Sequence, residues 1–361
     1  MSIRLGLISL GCAKNLVDSE HMLAQLAEAG VTIVDDVAEA DVAVINTCGF
    51  IESAKQEAIQ TILETAELKK SGQLKALIVT GCLVQRYPEE ITEEMPEIDA
   101  VLGTGSYTNI VDAVRAVMQA PGTVYRNFGQ IDEAEMEGGR ILLTPGYSAY
   151  LKIAEGCNNH CAYCVIPKLR GKFRSRPMED ILEEARAMAA AGVREIIVVA
   201  QDITRYGTDL YGERRLSDLL HELCAMDFTW VRLHYLYPDE ITDDMIETIA
   251  TEPKIVKYLD IPIQHVNNRI LKAMHRRGDS AFLRDLFGEL RSRIPGLVLR
   301  TSLIVGLPGE TEEEFEELCE FMRERNIERA GVFCYSPEEG SEPAEMPDQI
   351  DEETKNERRM I

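Results

Sequence analysis

The sequence predicts an α/β protein: an N-terminal open parallel βα sheet followed by a partial (β/α)6 barrel. Three observations carry that reading. Short apolar, β-rich runs alternate with helical patterns along nearly the whole chain, the signature of parallel strands with helical crossovers. A stretch of glycines, prolines and acids breaks the alternation once. Six strands with helices between them then follow, short of the eight that close a barrel.

The chain has 361 residues, enough for about two domains, each able to bury its own core. Hydrophobic residues make up 45% and charged residues 28%, an ordinary soluble composition. The longest apolar runs resemble Ile196–Ala200, far short of the roughly 18 residues of a membrane span. Leu5–Leu10 lies between Arg4 and Lys14 and reads as a first strand, not an export signal. Membrane and secreted classes are therefore excluded, and a cytoplasmic location is expected.

In order, strands are expected at Ile3–Leu10, Val42–Asn46 and Ala76–Thr80. Helices are expected at Leu16–Ala29, Glu52–Lys69 and Tyr107–Gln119, with Gly30 and Gly72 as stop signals. Residues 121–146 hold Pro121, Gly122, Gly129, Gly138, Gly139, Pro145 and Gly146 around the acidic Ile131–Glu137, and read as a linker. The second series has strands at Tyr150–Ala154, Glu195–Ala200, Val231–Tyr235, Tyr258–Ile261, Val298–Val305 and Gly331–Tyr335. Its helices are Met178–Ala191, Leu216–Ala225, Asp243–Thr251, Ser280–Arg293 and Thr311–Arg325, the last opened by a Thr311/Glu314 capping-box pattern. Asp351–Ile361 reads as the start of one more helix. The expected organisation is thus a domain over 1–120, a linker over 121–146, a barrel over 147–340 and a connection over 341–361.

Net charge is −24. Residues 1–145 carry 10 Lys/Arg against 22 Asp/Glu and the remainder 28 against 40, so both parts share the excess equally. Such a surface repels a bare phosphate backbone and suits a basic protein partner; solubility alone is the plainer explanation. Nucleic acid is not the expected substrate. Nine cysteines without an export signal point to thiol-based metal or redox chemistry more than to disulfides.

Cys12, Cys48 and Cys82 each lie just beyond an expected strand of the first domain, 36 and 34 residues apart. In an open parallel sheet the C-terminal strand ends line one crevice, so these thiols should converge. Gly11, Gly49 and Gly81 stand beside them and would let backbone approach a bulky ligand. Three soft thiolates with no evident fourth ligand suit an iron–sulfur cluster with one open iron; three separately packed cysteines are the alternative. The second constellation, Glu155-Gly-Cys157-Asn-Asn-His160-Cys161-Ala-Tyr163-Cys164, follows the barrel's first strand, at the face where barrel chemistry sits. Its CxxxCxxC spacing suits three irons of a cubane. Zinc with His160 as fourth ligand is the competing reading, but no second cysteine pair accompanies it. Lys168, Arg170, Lys172, Arg174 and Arg176 follow without an acid until after Met178, and either offset an anionic ligand or form a solvated loop.

These motifs together resemble the radical S-adenosylmethionine methylthiotransferases along essentially the whole chain. The resemblance implies two [4Fe-4S] clusters. The one on Cys157, Cys161 and Cys164 chelates S-adenosylmethionine and yields a 5′-deoxyadenosyl radical. The auxiliary one on Cys12, Cys48 and Cys82 supplies sulfur. The strings Ser9–Glu20, Ala200–Gly207 and Tyr258–His265 resemble the RimO-like branch, which thiomethylates an aspartate β-carbon in the twelfth protein of the small ribosomal subunit. The MiaB-like branch, which modifies a transfer-RNA adenosine, is the alternative. Ala13 and Ile203 are minor departures. The resemblance also implies a C-terminal TRAM module, which does not follow within these residues, and as partners a basic ribosomal protein, a low-potential electron donor and a sulfur donor. For S-adenosylmethionine it implies Tyr163 along the adenine, with Gln201, Asp202 and Gln264 at strand ends facing the site. His265 reads as a general base or a core histidine, the latter favoured. Gly103-Thr-Gly105 lacks the third glycine of a dinucleotide fingerprint. Cys224, Cys319 and Cys334 are expected to be packing residues.

Overall fold

The computed structural model describes residues 3–134, 136 and 138–361. It divides into two compact units: Met1–Pro145 with Glu155–Cys157 and Ile166–Lys172, and Gly146–Ala154 with Asn158–Val165 and Phe173–Ile361.

In the first unit β1 (Arg4–Ser9), β2 (Thr32–Val34), β3 (Val42–Thr47), β4 (Ala76–Gly81), β5 (Ala100–Leu102) and β6 (Tyr125–Asn127) form one sheet in the order β2-β1-β3-β4-β5-β6. Every pairing is parallel, with Leu5 opposite Val42 and Val42 opposite Ala76. The central strands β3 and β4 are buried along their whole length, as strands covered on both faces must be. One face packs Leu5, Val44 and Ile78 against α1 (Ala13–Glu28) and α5 (Ile110–Gln119). The other packs Ile45, Leu77 and Val79 against α2 (Glu52–Lys70), α3 (Cys82–Arg86) and α4 (Pro88–Glu94). Strand order reverses between β1 and β3, and a crevice opens beyond the strand ends at such a switch point.

Three strands here were not expected. Thr32–Val34, Ala100–Leu102 and Tyr125–Asn127 have three residues each, too few for an alternation to show. The last lies inside the expected linker 121–146. That segment also returns to α1, where Arg140 and Glu20 form a buried ion pair and Leu143 N–H donates to Glu20 Oε1 at 2.7 Å. Of its glycines and prolines, Pro121, Gly122 and Gly146 lie in turns. Glu135 and Glu137 of its acidic run lie outside the described residues.

In the second unit β7 (Ser148–Lys152) is followed by the short pair β8 (Ala154–Glu155) and β9 (Arg174–Ser175), then β10 (Glu195–Val199), β11 (Trp230–His234), β12 (Ile255–Asp260), β13 (Val298–Val305) and β14 (Arg329–Cys334). The large sheet runs β7-β10-β11-β12-β13-β14, all parallel. Each new strand adds to the same edge, so the sheet advances without reversal, as in a barrel left open. The six strands are those the sequence predicted. The helices of this unit are α7 (Met178–Ala190), α8 (Leu216–Ala225), α9 (Asp243–Thr251), α10 (Asn268–Ala273), α11 (Ser280–Arg293), α12 (Glu312–Arg325) and α13 (Glu352–Met360), while α6 (Ile166–Arg170), between β8 and β9 in sequence, belongs to the first unit. The Thr311/Glu314 capping box is formed, and Asn326 closes α12 in the left-handed region at φ 48. Among the described residues no helix is long and apolar enough to cross a membrane.

Candidate functional site

The three upstream cysteines lie beyond adjacent strands β1, β3 and β4. Cys12 is the N-cap of α1, Cys48 follows β3 directly, and Cys82 is the first residue of α3. Asn15, fully buried, ties their loops together: its Nδ2 donates to Thr47 O at 2.9 Å and Leu10 O at 3.2 Å, and its carbonyl accepts from Asn46 Nδ2 at 2.8 Å. Cys82 Sγ lies 3.8 Å from Asn15 Oδ1. The adjacent glycines serve the packing of the loops on one another. A Cβ on Gly11 would stand 2.8 Å from Cys48 Cβ, and one on Gly81 (φ +99) would stand 2.4 Å from Asn46 Oδ1 and 2.5 Å from Thr47 O. These glycines let the cysteine loops approach one another, which brings the thiols into mutual electrostatic range.

The three thiols differ. Burial pushes Cys82 up to about 11. Burial also raises Cys48, against a hydrogen bond from the backbone at Phe50. At Cys12 crowding by the surrounding chain raises the pKa, but Lys14, Arg170 and the N–H groups of Asn15 and Lys14 outweigh it, and the thiol lies below its ordinary value. A thiol at a helix N-terminus beside cations is expected to ionise readily.

Of the five cations after the tight motif, Arg170 and Arg176 are buried, Arg174 is half-buried, and Lys168 and Lys172 are exposed. Arg170 belongs to the first unit. Its guanidinium meets Asp18 Oδ2 at 2.6 Å and Glu155 Oε2 at 3.2 Å and donates to Asn15 Oδ1. Burial works against the cation, but Cys82, Asp18, Glu155 and Cys12 outweigh that and hold it charged. The basic run thus sends one of its residues, Arg170, to the upstream triad. Arg176, in the second unit, is structural: it donates to Lys152 O at 2.7 Å and pairs with Glu184 at 2.6 Å.

In the tight motif, Cys157 is counted with the first unit, where its N–H donates to Gly171 O at 3.1 Å. Cys161 and Cys164 share a turn in the second unit, Cys164 N–H donating to Cys161 O at 3.0 Å. Asn159 holds this loop: its Nδ2 donates to Asp202 Oδ2 at 3.0 Å and its Oδ1 accepts from Arg277 at 3.4 Å. Asp202 also accepts from Thr204 N–H at 3.1 Å and from the Thr204 hydroxyl, and burial raises its pKa. Its oxygens therefore serve the protein's own loop. Tyr163 packs with Ile270, Met274, Leu307 and Tyr335, and burial beside Cys161 raises its pKa well above the usual phenol value. Gln201 lies two residues beyond β10, and Gln264 sits at φ 73, pinned to β13 by hydrogen bonds with Ser302 O at 2.9 Å and Ile304 N at 2.8 Å. A non-glycine residue held there costs of order 1–3 kcal/mol, and such strain clusters at functional sites. His160 is exposed. Among the described residues, no three His, Cys, Asp or Glu side chains surround a single metal-ion position; a cubane instead takes one thiolate per iron, and soft thiols are the donor set it needs.

Two residues at this site escaped the sequence. Tyr237 and Arg276 both reach Cys161 Sγ, at 3.6 and 3.7 Å. Neither lies on a strand, and only the tandem Arg276-Arg277 before Gly278 signalled anything. Cys224 is buried on α8, while Cys319 and Cys334 are partly buried on α12 and β14.

His265 is fully buried, and its Nδ1 accepts from Asn267 N–H at 3.0 Å, which places the proton of the neutral ring on Nε2. Nε2 lies 3.8 Å from Glu310 Oε2, beyond hydrogen-bond reach. Burial pushes its pKa down to about 4 from 6.5. Between those values the unfolded chain binds a proton that the folded one refuses, so stability falls as pH drops from 6.5 towards 4, by about 3 kcal/mol in all. Urea unfolding at pH 7 and pH 5 should show about 2 kcal/mol of that loss in the wild type and a smaller one in His265→Asn; equal losses in both would remove His265 from the account.

Comparison with known proteins places this geometry. Residues 4–103 match the uncharacterized protein family UPF0004, and residues 151–322 match the radical SAM superfamily. The ribosomal protein uS12 methylthiotransferase RimO of Anaeromyxobacter sp. (strain K) is 53% identical over 366 residues, covering 99% of this chain and 76% of that protein. The proteins of the same name from Geobacter sulfurreducens and Clostridioides difficile are 52% and 51% identical, covering 98% and 99% of this chain and 80% of each relative. Among solved structures, the radical S-adenosylmethionine methyltransferase TsrM from Kitasatospora setae aligns with a TM-score of 0.68 at 14% identity, over 92% of this chain and 73% of that one. The cobalamin-dependent S-adenosylmethionine radical enzyme OxsB aligns at 0.61 and 12%, over 99% and 56%. At such identities the structural likeness concerns the fold.

Proposed function

We propose, from the fact that the chain belongs to the ribosomal protein uS12 methylthiotransferase (RimO) family, that it adds a methylthio group to the β-carbon of an aspartate in uS12. The observation that carries the reading is the convergence of Cys12, Cys48 and Cys82 at one sheet end, in a chain that also bears CxxxCxxC on a barrel loop. When bound, two [4Fe-4S] clusters and S-adenosylmethionine supply the sulfur, the electron and the radical chemistry.

The chain's own residues do the rest. Cys12, Cys48 and Cys82 hold the auxiliary cluster, with Arg170 as the buried cation beside their thiolates. Cys157, Cys161 and Cys164 hold the other, and Asn159, fixed by Asp202, sets the shape of their loop. Tyr163, Gln201 and Gln264 line the place for S-adenosylmethionine, with Asp202 acting through Asn159. The −24 charge favours a basic ribosomal protein over RNA as client. A low-potential electron donor and a sulfur donor complete the partners, and the expected setting is the cytoplasm.

The test gives the anaerobically reconstituted protein S-adenosylmethionine and a reductant, with uS12 and unmodified transfer RNA in parallel. Mass spectrometry is expected to find a methylthio gain on an aspartate-containing peptide of uS12. A gain on adenosine, with none on the peptide, would overturn the substrate assignment.

A further inference from the structure

Arg276 and Arg277 are neighbours in the loop between α10 and α11, yet their surroundings differ sharply. Arg277 is half-exposed and meets two carboxylates, Asp239 at 2.8 Å and Glu240 at 2.7 Å. Arg276 is buried, and among the described residues no carboxylate lies within ion-pair distance of it. Its guanidinium stacks 3.9 Å from the centre of the Tyr237 ring, donates through Nη2 to Pro262 O at 2.6 Å, and points Nη1 at Cys161 Sγ at 3.7 Å. The Tyr237 hydroxyl lies 3.6 Å from the same sulfur. Burying a cation costs several kcal/mol unless an anion compensates it. Here no carboxylate pairs directly with the buried charge: the Cys161 sulfur faces it, and Asp239 interacts with it only at longer electrostatic range.

The direction of these contacts follows from the donor inventory. A cysteine sulfur that ligates iron has lost its proton and can only accept. A guanidinium can only donate, and a phenol facing an acceptor must donate. Both partners therefore aim hydrogens at one sulfur from two sides: Tyr237 from the segment after β11, and Arg276 from the loop after α10, itself tied through Pro262 to the segment after β12.

We propose that Tyr237 and Arg276 are a donor pair positioned on Cys161 Sγ, raising the reduction potential of the cluster held by Cys157, Cys161 and Cys164 and fixing the orientation of that ligand. Hydrogen bonds and positive charge at a ligand sulfur favour the reduced, more negative cluster. The cation–π stack presets the guanidinium, so that removing the ring also loosens the arginine. They are positioning residues, acting through Cys161. The inference rests on the reading that this triad binds a cluster.

The test is an EPR-monitored anaerobic redox titration of the full chain carrying Cys12→Ala, Cys48→Ala and Cys82→Ala, so that a single cluster reports. In that background Tyr237→Phe keeps the ring and removes one donor, Arg276→Gln removes the charge, and Arg276→Lys restores charge without the planar fork. Iron content is measured in each. The expected result is about four irons per chain and a midpoint shifted to more negative potential in Tyr237→Phe. The shift is larger in Arg276→Gln, partly reversed in Arg276→Lys and largest in the double variant. Unchanged midpoints at full iron content overturn the donor-pair assignment and leave the function reading intact. A background chain that binds no iron overturns both. If Arg276→Gln fails to retain iron, the isosteric Tyr237→Phe decides alone.

Discussion

Replacing Cys48 with alanine is expected to leave 5′-deoxyadenosine formation from S-adenosylmethionine within a few-fold of wild type while methylthio product falls by more than about 10²-fold, since outer partners of metal ligands alone cost 10–100-fold. The two outputs separate because Cys48 stands at the end of β3 with Cys12 and Cys82 at neighbouring strand ends, whereas Cys157, Cys161 and Cys164 sit together on the one loop after β8. Alanine keeps the Cβ that packs against Gly11, so the loop retains its shape and the change is confined to the sulfur. Cys161→Ala is expected to remove both products. High-resolution mass spectrometry of the peptide, with chromatographic quantification of 5′-deoxyadenosine in the same reaction, reads both outputs. Parallel loss of both in Cys48→Ala would contradict the division of labour.

Arg170→Met should be the most destabilising single substitution proposed here, by about 3–5 kcal/mol, the cost of breaking a buried ion pair by removing one partner. It would leave Asp18 and Glu155 buried without their cation and Asn15 Oδ1 without its charged donor. Arg170→Lys should rescue poorly, because one ammonium cannot fork between two carboxylates and an amide oxygen. Combining Arg170→Met with Asp18→Asn and Glu155→Gln removes the stranded charges and should recover much of the loss. Urea midpoints of the four proteins test this; a midpoint for Arg170→Met within error of wild type would show that the charge cluster is not needed for the fold.

The legible parts of the chain were those with long local signals. The six strands of the second sheet announced themselves because each is five to eight residues long, enough for a β-rich pattern to show, and Thr311 with Glu314 fixed the start of α12. Three-residue strands such as Ala100–Leu102 gain their stability from the neighbours they pair with, and no local pattern encodes that. The upstream cysteine triad was visible because strand ends recur once per βα unit, and the topology then brings those ends together; the second was visible in its CxxxCxxC spacing on one loop. The destination of Arg170 was not. Its charge stood out, but its partner Asp18 is 152 residues away, and only the folded chain shows which sulfur site the cation serves. The glycines were equally visible while their neighbours were not: Gly81 makes room for Asn46 and Thr47, a constraint set by packing between loops. Tyr237 and Arg276 follow no spacing rule, because a contact on a ligand sulfur needs only proximity.

The most direct measurement of the central claim, that one chain carries two separate clusters on two cysteine triads, is an iron and acid-labile sulfide count. It is made on the anaerobically reconstituted wild type and on two triple variants, one with Cys12, Cys48 and Cys82 replaced by alanine, the other with Cys157, Cys161 and Cys164 replaced. Two cubanes predict about eight irons and eight sulfides in the wild type and about four of each in either variant. A wild-type chain that saturates at about four irons, or that holds zinc in place of iron at either triad, would contradict the account.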